Sequence, residues 1–172
     1  MVKRETNPDV FARLISSIIS QQVSTKSANT VKNRLIDLIG KITPENLNKL
    51  EKEEIQKCGM SMRKAGYIKK IAEKSVSGDI DFENLYKLSD EEISKELMSL
   101  KGVGEWTADM LLIHAFERPD ILSFKDLGIR RGIEELYGIK ELSKEKFNQL
   151  KERYSPYGSV ASLYIWEISE GK

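Results

Sequence analysis

Two short stretches carry the residues whose types and spacing could do chemistry: Leu100-Lys101-Gly102-Val103-Gly104-Glu105-Trp106-Thr107-Ala108, and Asp126, twenty positions beyond Trp106. Two glycines two residues apart permit torsions that other residues adopt only at a cost, so the chain is expected to turn sharply and leave amides bare at the next helix start. Bare amides at a helix start bind phosphate. On a plainer reading Gly-Val-Gly is only a C-cap and a tight turn, common in helical proteins. Asp126 precedes Leu-Gly-Ile-Arg-Arg-Gly-Ile and is expected at or just before a helix start. As an ordinary N-cap it stabilises that helix by about 1 kcal/mol. Helix amides and the helix dipole also favour a charged carboxylate. A fixed anion suits a transition state that builds positive charge on carbon, as when a glycosidic bond breaks through an oxocarbenium-like sugar. Asp109, among apolar neighbours, and Asp120, in a turn after Pro119, fit that role less well.

The elements that must position these residues are all helical. Ser89-Asp90-Glu91-Glu92 has the form of a capping box and opens a helix over 91–99; a second helix runs over 106–116. Upstream, Asn7-Pro8 is a cap followed by proline at the first helical position, and Val10, Leu14, Ile15, Ile18 and Ile19 recur on one face up to about Ser20. Ser24 caps a helix that Gly40 stops; Thr43-Pro44 opens a short one, and another over 51–58 ends at Gly59. Ser61 starts a longer helix over 62–76 with Tyr67, Ile68 and Ile71 inward, and a turn or two follows over 82–88. Helices over 127–137, 144–153 and 160–168 complete the chain, and only the short run Ile121-Leu122 is a candidate for extended backbone.

At 172 residues the chain is one compact unit or two lobes, long enough to bury a core. A formal charge of +1 excludes binding through a global basic field but not a grip on a few phosphates. The single cysteine, Cys58, excludes an internal disulfide and any cysteine-ligated metal or iron-sulfur cluster within the chain, and suggests a reducing compartment. No apolar run is long enough to span a bilayer, and the charged start lacks a signal-peptide core. The expectation is an intracellular protein of the cytoplasm or nucleoid, with no membrane partner.

The string Leu-x-Gly-Val-Gly-x-Trp-Thr-Ala with its downstream aspartate resembles the hairpin of the helix-hairpin-helix DNA glycosylase superfamily. Three further pieces resemble the 3-methyladenine DNA glycosylase II type. Ser17 to Ala28 contains a Gln-Gln-x-Ser pattern, Gly59 to Ala65 is similar to a second loop, and Tyr154 to Ala161 with Trp166 is similar to the C-terminal helix. The four occur in the right order and cover most of the chain.

The resemblance implies an all-α fold of two helical lobes with a cleft between them, one lobe over about 22–115 and the other over 1–21 plus 116–172. It implies a monofunctional glycosylase that flips alkylated bases such as 3-methyladenine out of double-stranded DNA. The sequence says nothing of oligomeric state, and a monomer is the default expectation. Asp126 matches the aspartate that stabilises the sugar cation as water attacks. Trp106 stands where strand-cutting members carry a lysine nucleophile, and with Trp166 it matches the aromatic walls of the base pocket. Gly102, Val103 and Gly104 would offer amides to a phosphate and Thr107 a hydroxyl. Gln22 falls at the wedge position, and Lys101, Lys125, Arg130 and Arg131 would contact phosphates. No cofactor is required, but the carbonyls of Met98, Leu100 and Val103 would hold a monovalent cation, Na or K. The plainer readings are core packing for both tryptophans, a solvated helix end for Gln22 and a solvated face for the basic residues. Other readings of the chain are a glycosylase that also cuts the strand, a non-catalytic DNA-binding module, and a helical scaffold for a protein partner.

Several positions depart from the family pattern. Lys101 replaces a proline, Ser123-Phe124-Lys125 replaces a small proline-containing run, and Gly158 stands where an arginine is usual. Lys125 beside Asp126 is an amine, but nothing in the sequence desolvates it. The sequence begins close to the Asn-Pro helix, so by the resemblance a helix that usually precedes it is expected to be missing, as in a minimal or a truncated member.

Overall fold

Helices and their caps account for almost the whole of the computed structural model, which describes residues 9–171. The elements are α1 (Val10–Ser20), α2 (Thr25–Ile39), α3 (Pro44–Asn48), α4 (Lys52–Lys57), α5 (Met62–Ser77), a 3-10 turn (Asn84–Lys87), α6 (Asp90–Met98), α7 (Glu105–His114), α8 (Leu127–Tyr137), α9 (Lys144–Tyr154) and α10 (Gly158–Ser169). There is no strand among the described residues. The expected Asn7-Pro8 start lies outside them; α1 is capped by Asp9, whose Oδ1 accepts from the Ala12 amide at 2.9 Å. Ser24, Thr43, Ser61, Ser89 and Ser143 cap α2, α3, α5, α6 and α9 with their hydroxyls. Each satisfies an orphan amide of the first turn. Helix ends differ from the sequence expectation by a residue or two, as fraying ends do.

The chain divides into two compact units, and the dividing point falls inside α7, between Ala108 and Asp109. In the first unit, residues 9–108, the apolar face of α1 is buried: Val10, Phe11, Leu14, Ile15, Ile18 and Ile19. It packs against α2 and α5, and α5 also packs against α3 and α4. Burying each such Leu or Ile side chain contributes roughly 1.5–3 kcal/mol. Helix α1 falls in the compact unit that leads to the hairpin, whereas the resemblance implied a lobe that joins it to residues 116–172. An amphipathic stripe announces burial without saying against what.

In the second unit, residues 109–171, α10 packs against α8 and α9 over a core of Leu122, Ile129, Ile133, Leu142, Phe147, Leu150 and Ile165. Helices α8 and α10 approach so closely that a Cβ on Gly132 would lie 2.3 Å from the Ile165 carbonyl oxygen. The run Ile121-Leu122 is buried and irregular. Side chains of α10 satisfy its backbone instead of a ladder: Ser159 Oγ accepts from the Ile121 amide at 3.0 Å, and Ser162 Oγ donates to the Ile121 carbonyl at 3.0 Å. Asp120 caps α10, accepting from the Gly158 amide at 2.9 Å and from Ser155 Oγ at 2.5 Å. A Cβ on Gly158 would lie 2.9 Å from that carboxylate and 3.2 Å from backbone carbons of Asp120 and Ile121. A side chain at this position would require the Asp120 carboxylate and the backbone beside it to shift.

Among the described residues no helix is long and apolar enough to cross a membrane, and no group of three or more His, Cys, Asp or Glu could hold a metal ion. Cys58 ends α4 as a buried thiol, and burial pushes its pKa up, partly offset by Arg34.

Candidate active site

The hairpin joins α6 to α7 through residues 99–104. The Leu100 amide donates to the Leu97 carbonyl and the Val103 amide to the Leu100 carbonyl, both at 3.1 Å, while the Ala108 amide reaches back to Gly104 at 3.0 Å. The two glycines are not equivalent. Gly102 has φ +92°, and a Cβ there would fall 2.4 Å from Cδ2 of Tyr67 on α5. Gly104 has no positive φ, and a Cβ there would meet nothing within 4 Å. Torsional freedom is thus needed at Gly102 alone, and Gly104 keeps a surface bare. Among the described residues the amides of Gly102 and Gly104 have no acceptor, whereas Val103's is used within the turn. The Val103 and Thr107 side chains are buried, Thr107 at 3 % exposed, so the hydroxyl expected at the hairpin surface has little surface to offer. Lys101 is exposed.

Trp106 is 42 % exposed and, with Ser17, Ser20, Gln21 and Gln22, lines a pocket of about 340 Å³ within the first unit. The plainer expectation of core packing fails for this tryptophan. Gln22 is exposed between α1 and α2 with φ +58°, a left-handed conformation that costs a non-glycine residue roughly 1–3 kcal/mol and persists only where its surroundings enforce it. The neighbouring Gln21 is tied to the hairpin, its Nε2 donating to the Gly102 carbonyl at 2.9 Å.

Asp126 is the N-cap of α8, 7 % exposed. Its Oδ1 accepts from the Ile129 amide at 2.8 Å and from the indole Nε1 of Trp166 at 2.9 Å. Gly128 makes room for this: a Cβ there would sit 2.9 Å from Trp166 Cδ1 and 3.2 Å from Asp126 Oδ1. The other side of the story is His114, which stacks on Trp166 with ring centroids 5.8 Å apart and 17° between planes. Trp166 therefore fixes the carboxylate and packs on the second unit's core as well. Trp166→Phe keeps a ring for the stack and deletes the donor. It is expected to cost about 1.5–3 kcal/mol of unfolding free energy by chemical denaturation, the range for a hydrogen bond to a charged group.

Of the basic residues, Lys125 and Arg131 are exposed, and Arg130 lies 5.5 Å from the Phe124 ring centroid. Lys144, which sequence reasoning passed over, lies 4.4 Å from the same ring. Both are cation–π distances. Phe124, one of the bulky replacements ahead of Asp126, is thus held by two cations and by an edge contact with Phe147 at 5.1 Å.

The profile of the HhH-GPD superfamily of base excision DNA repair proteins matches residues 15–156, a span that contains the hairpin and Asp126. The chain belongs to the HhH-GPD superfamily. Within it, the chain is 34% identical over 165 residues to DNA-3-methyladenine glycosylase 1 of Schizosaccharomyces pombe, covering 93% of this chain and 72% of that protein. The crystal structure of a DNA-3-methyladenine glycosidase from Bacillus halodurans superposes with a TM-score of 0.88 at 35% identity, covering 98% of this chain and 79% of that one. The S. pombe 3-methyladenine DNA glycosylase in complex with abasic DNA superposes with a TM-score of 0.84 at 34% identity, covering 98% and 84%. As an HhH-GPD protein the chain has more in its site than its motifs announced. His114 and Gly128 were given no role from the sequence, Tyr67 was placed only as an inward residue of its helix, and Gln21 only within the Gln-Gln-x-Ser pattern. Of the first two, Gly128 carried a local signal, a glycine in the first turn of a helix, where a small residue marks close approach.

Proposed function

We propose that the chain is a monofunctional DNA glycosylase of base excision repair, which flips an alkylated base out of duplex DNA and releases it by hydrolysis. The observation that carries this reading is Asp126: a carboxylate 7 % exposed, oriented by a helix-start amide and an indole N–H on one oxygen. Such a group suits a fixed anion that opposes positive charge developing on the sugar while water attacks C1′. The relatives named as 3-methyladenine glycosylases support 3-methyladenine and related purines as the bases released.

The other residues take roles by the same chemistry. Trp106 is 42 % exposed; an aromatic face attracts a cationic alkylated purine more than a neutral one, and an indole has no amine with which to form a Schiff base. The strand is therefore left uncut. Gln22 is the wedge that enters the gap left by the flipped base. The amides of Gly102 and Gly104 take a phosphate, with Lys101 adding charge beside them, and Lys125 and Arg130 are the phosphate contacts of the second unit. The Leu100 carbonyl accepts from Val103 and keeps a second lone pair, which fits its joining Met98 and Val103 carbonyls on a sodium or potassium ion. Such an ion would supply positive charge at the DNA backbone. No other cofactor is needed, and one copy of the chain suffices.

The test is release of free base from methylated duplex DNA followed by alkali. The expected result is free 3-methyladenine and strands that break only after alkali. Strands cut without alkali, or a protein–DNA adduct trapped by borohydride, would overturn the monofunctional reading. Binding without base release from methylated, deaminated or oxidised DNA would overturn the enzymatic one.

A further inference from the structure

The left-handed Gln22 needs something to enforce it, and the structure supplies a candidate in Lys64, the third residue of α5. Its Nζ donates to the Ile19 carbonyl at 2.9 Å and also to the Gln21 carbonyl. Both carbonyls belong to the C-terminal end of α1, where unpaired C=O groups and the negative end of the dipole favour a cation. Burial, and secondarily Arg63, lower the pKa of Lys64, as expected of an ammonium that has exchanged water for these carbonyls. One turn further along α5, Tyr67 lies against Gly102. Gln21 closes the circuit through its side-chain bond to the Gly102 carbonyl. The residue before Gln22 is thus held at its carbonyl by Lys64 and at its amide side chain by the hairpin, and both holds trace to one stretch of α5.

We infer that Lys64 is a positioning residue: it clamps the end of α1 so that Gln22 is presented in its left-handed conformation, in register with the phosphate-binding hairpin. In taking Gln22 as the wedge, the inference rests on the glycosylase reading above. Lys64 touches neither substrate nor the reacting atoms in this role. It acts through the loop, so its effect must disappear when Gln22 is already gone.

The experiment compares Lys64→Met, Lys64→Arg, Gln22→Ala and the double variant Lys64→Met with Gln22→Ala, all in the full chain. Amide hydrogen exchange over residues 21–24 reads the clamp directly and needs no activity. Lys64→Met is expected to speed exchange there by about tenfold while peptides from α8 to α10 stay unchanged. Single-turnover release of 3-methyladenine is expected to slow by about tenfold or more, since small misplacements are costly, with duplex affinity nearly unchanged. Lys64→Arg, which can donate to both carbonyls, restores most of the rate. The double variant is expected to be no slower than Gln22→Ala alone. Unchanged exchange over 21–24 in Lys64→Met overturns the inference, and so do additive rate losses. If the wild type releases no base, the glycosylase reading fails by itself, and the exchange measurement still decides whether Lys64 clamps the loop.

Discussion

Asp126→Asn is expected to lower the rate of base release by about 10²–10³-fold while leaving duplex binding and folding nearly intact. The reason is that the substitution removes the charge and keeps the geometry. The asparagine Oδ1 can accept from the same two donors, the Ile129 amide now at 2.8 Å and the Trp166 indole now at 2.9 Å. Asparagine is also as good an N-cap as aspartate, so α8 keeps its start. Unfolding free energy should therefore change by less than about 0.5 kcal/mol, the ordinary range for a harmless substitution. Asp126→Ala makes the contrast. It deletes the cap, costing about 1 kcal/mol, and leaves the half-buried indole N–H of Trp166 without its acceptor. Single-turnover rates and denaturation midpoints for the pair separate charge from structure. If Asp126→Asn releases base as fast as the wild type, the carboxylate is only a cap, and its place before α8 says nothing about chemistry.

What could be foreseen and what could not divides along the range of the interactions. Ser24, Thr43, Ser61 and Ser89 at helix starts, Gly40 after α2, and Asp126 at the start of α8 are local devices. Their partners lie within about four positions, so residue type and spacing suffice. The bond from Trp166 to Asp126 spans 40 positions, and that from Gln21 to Gly102 spans 81. No period or motif encodes which donor a folded chain brings to a given acceptor. Gly102 and Gly104 look alike in the sequence; a tyrosine on α5 and a single positive φ make one of them indispensable to the turn. Val103 and Thr107 illustrate the same limit from the other side. Their positions at a helix start were legible, but tertiary packing turned their side chains inward. The close packing of Gly158 on Asp120 becomes visible only once Asp120 is seen accepting from its amide, 38 positions away.

Gly102→Ala is expected to be among the most destabilising single substitutions in the first unit. Two separate effects add. Alanine is strained at φ +92°, at roughly 1 kcal/mol, and its Cβ would fall 2.4 Å from Cδ2 and 2.9 Å from Cγ of the Tyr67 ring. The contacts are at the base of the ring, Cγ and Cδ2, so relief requires the whole side chain to move, and such overpacking costs about 1–3 kcal/mol. The sum is about 2–4 kcal/mol in a denaturation experiment. Tyr67→Ala placed in the same chain should return the overpacking part and leave the torsional part, which tests the partition. Gly104→Ala is expected to do the reverse. It has open space for its Cβ and no positive φ, so stability should hold within about 0.5 kcal/mol. Yet a methyl group on the bare surface of the hairpin stands where a phosphate must approach the amides, and duplex affinity should fall. A stable Gly104→Ala protein with undiminished affinity would mean that the hairpin is only a turn, because the one feature of Gly104 left to explain is the surface it does not occupy.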